Sequence, residues 1–236
     1  AVEPAMPGGV HFLDPFCYRC PFGQKKESCK RECISHLEEV IKYEGPEKIA
    51  AIIMEGVVGS NGLIVPPDDY WPRVREICDK YGILLISDEV MSGWGRTGKW
   101  FASQHEGVRP DVTVIGKALS GGMYPVSAVL ADDAVLGLFL PGEHGSTFGG
   151  SPLAAAVAVA ALEVLDEEHL ADRATELGNY FMSKLREIEA PMVKEIRGRG
   201  LLIGVELRPE AGGARRYCEM LQEAGILAKE THDHVI

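Results

Sequence analysis

The chain has 236 residues, 46% hydrophobic and 25% charged, with a mean hydropathy of -0.01, which fits one large or two ordinary globular domains and excludes disorder and collagen-like repeats. No run approaches the roughly 18 uninterrupted apolar residues of a membrane helix, and Ala1, Val2, Glu3 and Pro4 make no basic stretch ahead of an apolar core, so a cytoplasmic protein is expected. With 24 Lys and Arg against 35 Asp and Glu, the net charge of -11 repels a phosphate backbone and favours a small-molecule partner over nucleic acid.

The chain opens in a Pro/Gly-rich stretch (Pro4, Pro7, Gly8, Gly9) and stops at Val235-Ile236, which reads as the start of a buried strand. Exposed, fraying ends are the rule for natural domains, so an internal fragment of a longer enzyme is expected. Four of the six cysteines crowd into one segment (Cys17, Cys20, Cys29, Cys33), while Cys78 and Cys218 stand alone in helical patterns. That is not a secreted disulfide framework. Their spacing, Cys-x2-Cys-x8-Cys-x3-Cys, leaves three readings open: a structural zinc module, a redox-labile loop among basic neighbours, or plain reduced thiols near an active site.

Apolar residues at Ile34, Leu37, Val40 and Ile41 predict an amphipathic helix over Cys33–Lys42, ended by Gly45-Pro46. Ile49–Met54 reads as a strand covered on both faces. A helix is predicted from Asp68 to Lys80, with Pro66 and Pro67 before it and Gly82 after it. Ile83–Ile86 is a second buried strand, so a right-handed βαβ unit and a parallel sheet are implied. Val112–Ile115 and Val126–Leu130 continue the strand series. Ser151–Leu165 reads as an Ala-rich helix capped by Ser151, with Pro152 at its first position. Beyond it come a long charged helix (Glu167–Ile188), the segment Ile196–Gly200, a strand (Leu201–Leu207), a helix (Arg215–Glu223) and a strand (Ile226–Lys229). Alternating α/β layering thus gives way to a smaller α+β arrangement near Asp166.

Asp88 follows the apolar strand Ile83–Ser87, which places it at the carboxyl end of the sheet, where open α/β sheets bind ligands. An apolar strand ending in Asp-Glu also suits a Mg²⁺-holding acid of a nucleotide hydrolase. That chemistry needs a G-x-x-x-x-G-K-[ST] loop, and Gly116-Lys117-Ala118 offers neither the hydroxyl nor a Gly five residues earlier. The other reading pairs Asp88 with Lys117, 29 residues downstream and just past the strand Val112–Ile115. An acid that keeps a pyridinium nitrogen protonated, beside a lysine that can form an imine, is what pyridoxal phosphate chemistry requires. Gly116, Gly121 and Gly122 bracket the lysine, and Gly145-Ser146-Thr147 offers donors suited to a phosphate.

These residues resemble a known family. Ser87-Asp88-Glu89-Val90-Met91-Ser92-Gly93-Trp94-Gly95-Arg96-Thr97-Gly98, Pro110-Asp111, Gly116-Lys117-Ala118-Leu119-Ser120-Gly121-Gly122 and His144-Gly145-Ser146-Thr147-Phe148-Gly149-Gly150 with Pro152 are similar, in order and spacing, to the signature of class III (ω-type) pyridoxal-phosphate aminotransferases. The resemblance covers essentially the whole chain. It implies the fold-type I architecture: an α/β/α large domain with a mostly parallel sheet, of which residues 1–165 would be the C-terminal part, and a small α+β domain begun by 166–236. It further implies a homodimer with shared active sites, pyridoxal 5'-phosphate as cofactor, and transfer of an amino group from an ω-amino acid or amine donor to a 2-oxo acid such as pyruvate or 2-oxoglutarate.

By the same resemblance Lys117 is the imine-forming lysine and proton shuttle, Asp88 the partner of the pyridine nitrogen, and Val90 a residue against one ring face. Thr147, with Ser146 beside it, would reach the cofactor phosphate of the neighbouring subunit. The family's phosphate loop and stacking aromatic precede the point where this chain begins, and its carboxylate-binding arginine would follow Ile236, so the chain alone is expected to be inactive. Ornithine-type members carry a second glutamate where Ser60 stands, and Cys17–Gly23 with Gly59–Gly62 lean toward taurine:pyruvate and related ω-amino-acid aminotransferases. His144–Leu165 leans toward the ornithine type. Met91 replaces a Gln that, in many relatives, hydrogen-bonds the ring oxygen. The competing reading is a non-catalytic fragment or a zinc-binding module built on Cys17, Cys20, Cys29 and Cys33.

Overall fold

The computed structural model describes residues 7–236, so Pro4 and the residues before it lie outside the description. Four strands form the main sheet in the order β1 (Ala51–Glu55), β2 (Leu84–Asp88), β3 (Val112–Ile115) and β4 (Ala128–Ala131). β1, β2 and β3 run parallel, with Glu55 opposite Asp88 and Asp88 opposite Val114. β4 departs from the parallel expectation and pairs antiparallel with β3. The link over residues 116–127 carries one short 3-10 segment (Lys117–Ser120) and turns at Gly121 and Gly122, with no helix to cross a face of the sheet and return the strand in parallel.

Helices α1 (Glu32–Glu44) and α2 (Tyr70–Tyr81) are close to their predicted spans. Ile34, Leu37 and Ile41 of α1 pack with Tyr70, Trp71, Val74, Ile77 and Cys78 of α2 over Ile52 and Leu85 of the sheet, forming the main core. Trp71, Tyr70 and Leu85 are completely buried there, and burying each large apolar side chain contributes roughly 1.5–3 kcal/mol. Gly82 ends α2 in the left-handed region (φ 68), which a side chain enters only with strain.

The predicted Ala-rich helix is α4 (Pro152–Glu167), preceded by the single-turn α3 (Asp133–Leu136). Ser151 does not cap α4 with its side chain. Its carbonyl instead accepts the Ala155 amide. The single long helix expected over Glu167–Ile188 begins later: α4 runs to Glu167, His169 adopts φ 50, and α5 spans Leu170–Glu187. Beyond it β5 (Val193–Arg199) and β6 (Leu202–Leu207) form an antiparallel ladder with α5 against it, and α6 (Arg215–Glu223) follows. The strand expected at Ile226–Lys229 does not form. Ile226 and Leu227 are exposed, so no burial compensates the ordering cost of a further strand. Val235, read as entering a buried strand, is buried and bridges Glu206 of β6 antiparallel. No helix among the described residues is long and apolar enough to cross a membrane.

Candidate active site

The parallel register brings two carboxylates to neighbouring strand ends, Glu55 on β1 and Asp88 on β2. Asp88 is half-buried, and its Oδ1 accepts the Val90 N–H at 3.0 Å, which fixes the carboxylate at the turn leaving the strand. Lys117 lies two residues past the end of β3, its backbone at φ 43. A lysine in the left-handed region is uncommon and costs backbone energy that the surroundings must offset, a pattern concentrated at functional positions. Its side chain is exposed, and Gly121 ends the turn at φ 59. Val90 lies beside that turn, its Cγ1 3.7 Å from where a Cβ on Gly116 would stand.

Glu55 reports on both groups. Burial pushes its carboxyl up. The Gly59 N–H, which donates to its Oε2 at 3.0 Å, opposes that shift; Asp88 adds to it, Lys117 opposes it, and Asp14 adds again. Yet Asp88 and Lys117 line different cavities. Asp88 opens on one of about 450 Å³ together with His11, Asp14, Glu55, Tyr70 and Trp71. Lys117 opens on one of about 920 Å³ with Tyr124, Ser146 and Phe148. Ser146 lines the same cavity as Lys117 of its own chain, and its Oγ already accepts the Gly149 N–H at 3.0 Å. Thr147 is exposed and lines neither cavity. The buried Tyr70 hydroxyl and Trp71 Nε1 on the Asp88 side have no hydrogen-bond partner among the described residues. Sequence reasoning singled out neither aromatic.

Sequence reasoning also missed Glu89. It is fully buried, and its carboxylate accepts the Ala102 and Ser103 amides at 3.0 Å each and the Ser92 and Ser87 hydroxyls at 2.6 and 3.2 Å. Of the adjacent acids, one faces the cavity while the other ties the loop after β2 to the turn at Ala102–Glu106. Alternation along an extended chain was the available signal, because consecutive side chains point to opposite faces. Cys17, Cys20, Cys29 and Cys33 converge on a small cavity, but no three His, Cys, Asp or Glu side chains among the described residues are grouped so as to hold a metal ion. The Arg31 guanidinium donates to Cys29 Sγ at 2.7 Å. The zinc-module alternative therefore lacks a ligand set.

The family model described as aminotransferase class-III matches residues 4–236. The ornithine aminotransferase of Exiguobacterium sp. is 54% identical over 190 residues, 80% of this chain and 47% of that protein. Ornithine aminotransferase 2 of Staphylococcus saprophyticus is 52% identical over 198 residues, 84% of this chain and 49% of the relative. The chain thus spans about half the length of the curated relatives it matches. Among solved structures, the ornithine aminotransferase from Toxoplasma gondii, described with partial occupancy of PLP at its active site, superposes with a TM-score of 0.82 at 45% identity, over 86% of this chain and 47% of that one. A thermostable (S)-enantioselective omega-transaminase from Thermomicrobium roseum gives 0.90 at 36% identity, over 98% of this chain and 55% of the other. The ornithine names run against the argument from Ser60, and the omega-transaminase match runs with it.

Proposed function

The chain belongs to the class-III aminotransferases, and from that premise we propose that it carries the lysine and pyridine-acid portion of a pyridoxal-phosphate transaminase site. The observation that carries this reading is the sheet register, which puts Asp88 at a strand end with Lys117 just past the neighbouring strand. The donor set fits the cofactor: a fixed carboxylate for a ring nitrogen, a primary amine on an open cavity, and the Ser146 hydroxyl on that same cavity for a phosphate, with the exposed Thr147 left for a neighbouring subunit's site. When bound, the cofactor supplies the electron sink that lets a proton leave the donor's carbon.

Asp88, its carboxylate fixed by the Val90 amide, would hold the ring nitrogen and favour the protonated ring. Lys117 supplies the amine whose Nζ takes and returns the proton. Val90, beside the Lys117 turn, would lie against one face of the ring. The donor is an ω-amino acid or amine and the acceptor a 2-oxo acid, with a cytoplasmic location. The favoured assembly is a homodimer. Leu138, Phe139, Leu140 and Phe148 and, on α4, Leu153 and Val159 are exposed apolar side chains that a second copy would cover, bringing its Thr147 to the shared site.

The test is an absorption spectrum of the whole protein with pyridoxal phosphate, followed by amino donors screened against pyruvate and 2-oxoglutarate. A cofactor band that bleaches with one donor is expected. Lys117→Ala should abolish turnover while leaving some cofactor bound, since binding also draws on phosphate contacts. Turnover within tenfold of the parent would overturn the assignment of Lys117.

A further inference from the structure

The turn Gly59-Ser60-Asn61-Gly62 after β1 is pinned at every residue. Glu55 accepts the Gly59 amide at 3.0 Å, Thr231 Oγ1 donates to the Ser60 carbonyl, and Asn61 Nδ2 donates to Asp14 Oδ2 at 2.6 Å. Arg197 of β5 donates to the carbonyls of Gly62 and of Leu63, the latter from Nε at 2.7 Å. Its Nη2 also pairs with buried Glu206 at 2.7 Å, and its guanidinium lies 5.6 and 5.2 Å from the ring centroids of Phe16 and Tyr18. The head of the turn rests on the site: a Cβ on Gly59 would stand 2.6 Å from Met91 Cε, three residues past Asp88.

We infer that Arg197 is a positioning residue for the Asp88 side of the site, acting from the small sheet through the turn 59–62 on Glu55 and Met91. The inference rests on the transaminase reading above. A guanidinium purely for the stability of the small sheet would satisfy its donors there. This one aims two of its arms 134 and 135 residues back along the chain, at carbonyls of a turn that touches the site. The planar fork matters, because it holds two carbonyls and a carboxylate in fixed directions beside the Phe16 and Tyr18 rings, a geometry that a compact lysine ammonium does not reproduce. Releasing the turn would free the Gly59 amide from Glu55, and with it the charge facing Asp88 on β2, Lys117 after β3, and Asp14 and His11 on the N-terminal segment.

The experiment compares the parent with Arg197→Met, Arg197→Lys and Thr231→Val in the whole protein loaded with pyridoxal phosphate. Two quantities are read: the midpoint of the pH titration of the cofactor band, and hydrogen exchange at the Val58 and Ile64 amides, which bond across the turn. Arg197→Met should move the midpoint by about half a pH unit or more and speed exchange at both amides about tenfold or more. Arg197→Lys should behave as Met does. Thr231→Val should shift both quantities in the same direction by less. Parent-like titration and exchange in a folded Arg197→Met protein overturn the inference. Should that variant not fold, parent-like values in Thr231→Val overturn it instead. A parent showing no cofactor band defeats the transaminase reading, while the exchange arm still decides whether Arg197 anchors the turn.

Discussion

The strand ends and the loop 141–150 carry the two halves of the same proposed site, and they are built in opposite ways. At the strand ends each acid has a backbone-defined place: Glu55 and Asp88 by register, Glu89 by four hydrogen bonds in a fully buried setting. In the loop every residue from 141 to 150 is exposed, Phe148 at 82%, and Ser146 makes its hydrogen bond within its own turn. Parallel strands fix chemistry through their ladder, whereas the loop has its groups placed only when something else covers it. The two regions should therefore respond to substitution in different currencies, the first in catalysis and stability, the second in ligand affinity.

Asp88→Asn is the strongest challenge to the strand-end half. Asparagine keeps the shape and can still accept the Val90 amide, so the fold should stand. The charge on the ring nitrogen is lost, and the rate of the proton-abstraction step should fall by several orders of magnitude; removing even one electrostatic donor at a transition state costs about 10²–10³ in rate. Asp88→Glu should be less harmful than Asn. Single-turnover kinetics with the loaded protein decide the matter, and equal rates for Asn and parent would reduce Asp88 to a structural acid.

Glu89→Gln asks the complementary question one residue away. The amide replaces a charged acceptor that serves two backbone amides and two hydroxyls, and turns an N–H toward other donors. A loss of about 3 kcal/mol in urea unfolding is expected, the range for breaking charge-assisted bonds in a buried site. An unchanged unfolding midpoint would mean that the loop after β2 is held by its backbone and its Trp94–Phe101 contact alone.

The same loop predicts a pH response. Burial first, then the charge of Arg199, pushes the His105 imidazole down to about 4, while its Nε2 lies 3.0 Å from the Thr97 carbonyl. Below its ordinary value near 6.5 the unfolded chain binds a proton that the folded chain refuses until about pH 4. Stability from this group is thus complete above pH 6.5 and is lost as pH falls toward 4, at no more than about 1.4 kcal/mol per unit. His105→Gln should flatten that slope between pH 6.5 and 4. A parent and variant with parallel stability profiles would assign acid sensitivity elsewhere.

Much of the strand-end half was legible in the sequence, because apolar runs such as Ile49–Met54 and Ile83–Ile86 announce buried strands and a polar residue ending one must emerge at the sheet edge. Helix spans were legible through Pro66, Pro67 and Gly82. The antiparallel β4 was not, since strand direction depends on connection length and is silent in composition. The break at His169 was hidden for a related reason: a charged, helix-favouring stretch gives no Gly or Pro where the chain turns. Glu89 and Arg197 escaped because their work is done by contacts distant in sequence, from Glu89 to Ala102 and Ser103 and from Arg197 to Gly62 and Leu63. A motif shows which residues are adjacent along the chain, not which of two neighbouring acids turns inward.

Ser146→Ala and Thr147→Ala test the loop half, where the smallest change in stability is expected. Both side chains are exposed, so the unfolding free energy should stay within about 0.5 kcal/mol of the parent. If a second copy closes over the loop, as the exposed apolar side chains at Leu138–Leu140 and Phe148 favour, Thr147 gains its ligand only in the assembled protein. The affinity for pyridoxal phosphate should then fall about tenfold in Thr147→Ala, the loss of one hydrogen bond to a charged group. The parent's own affinity should weaken as the protein is diluted toward monomer. Ser146→Ala should cost less, because its Oγ is already engaged by the Gly149 amide. Fluorescence titration of the cofactor at two protein concentrations separates the outcomes. An affinity that neither substitution nor dilution changes would place the phosphate away from this loop, and leave the strand ends as the only part of the proposed site that this chain positions.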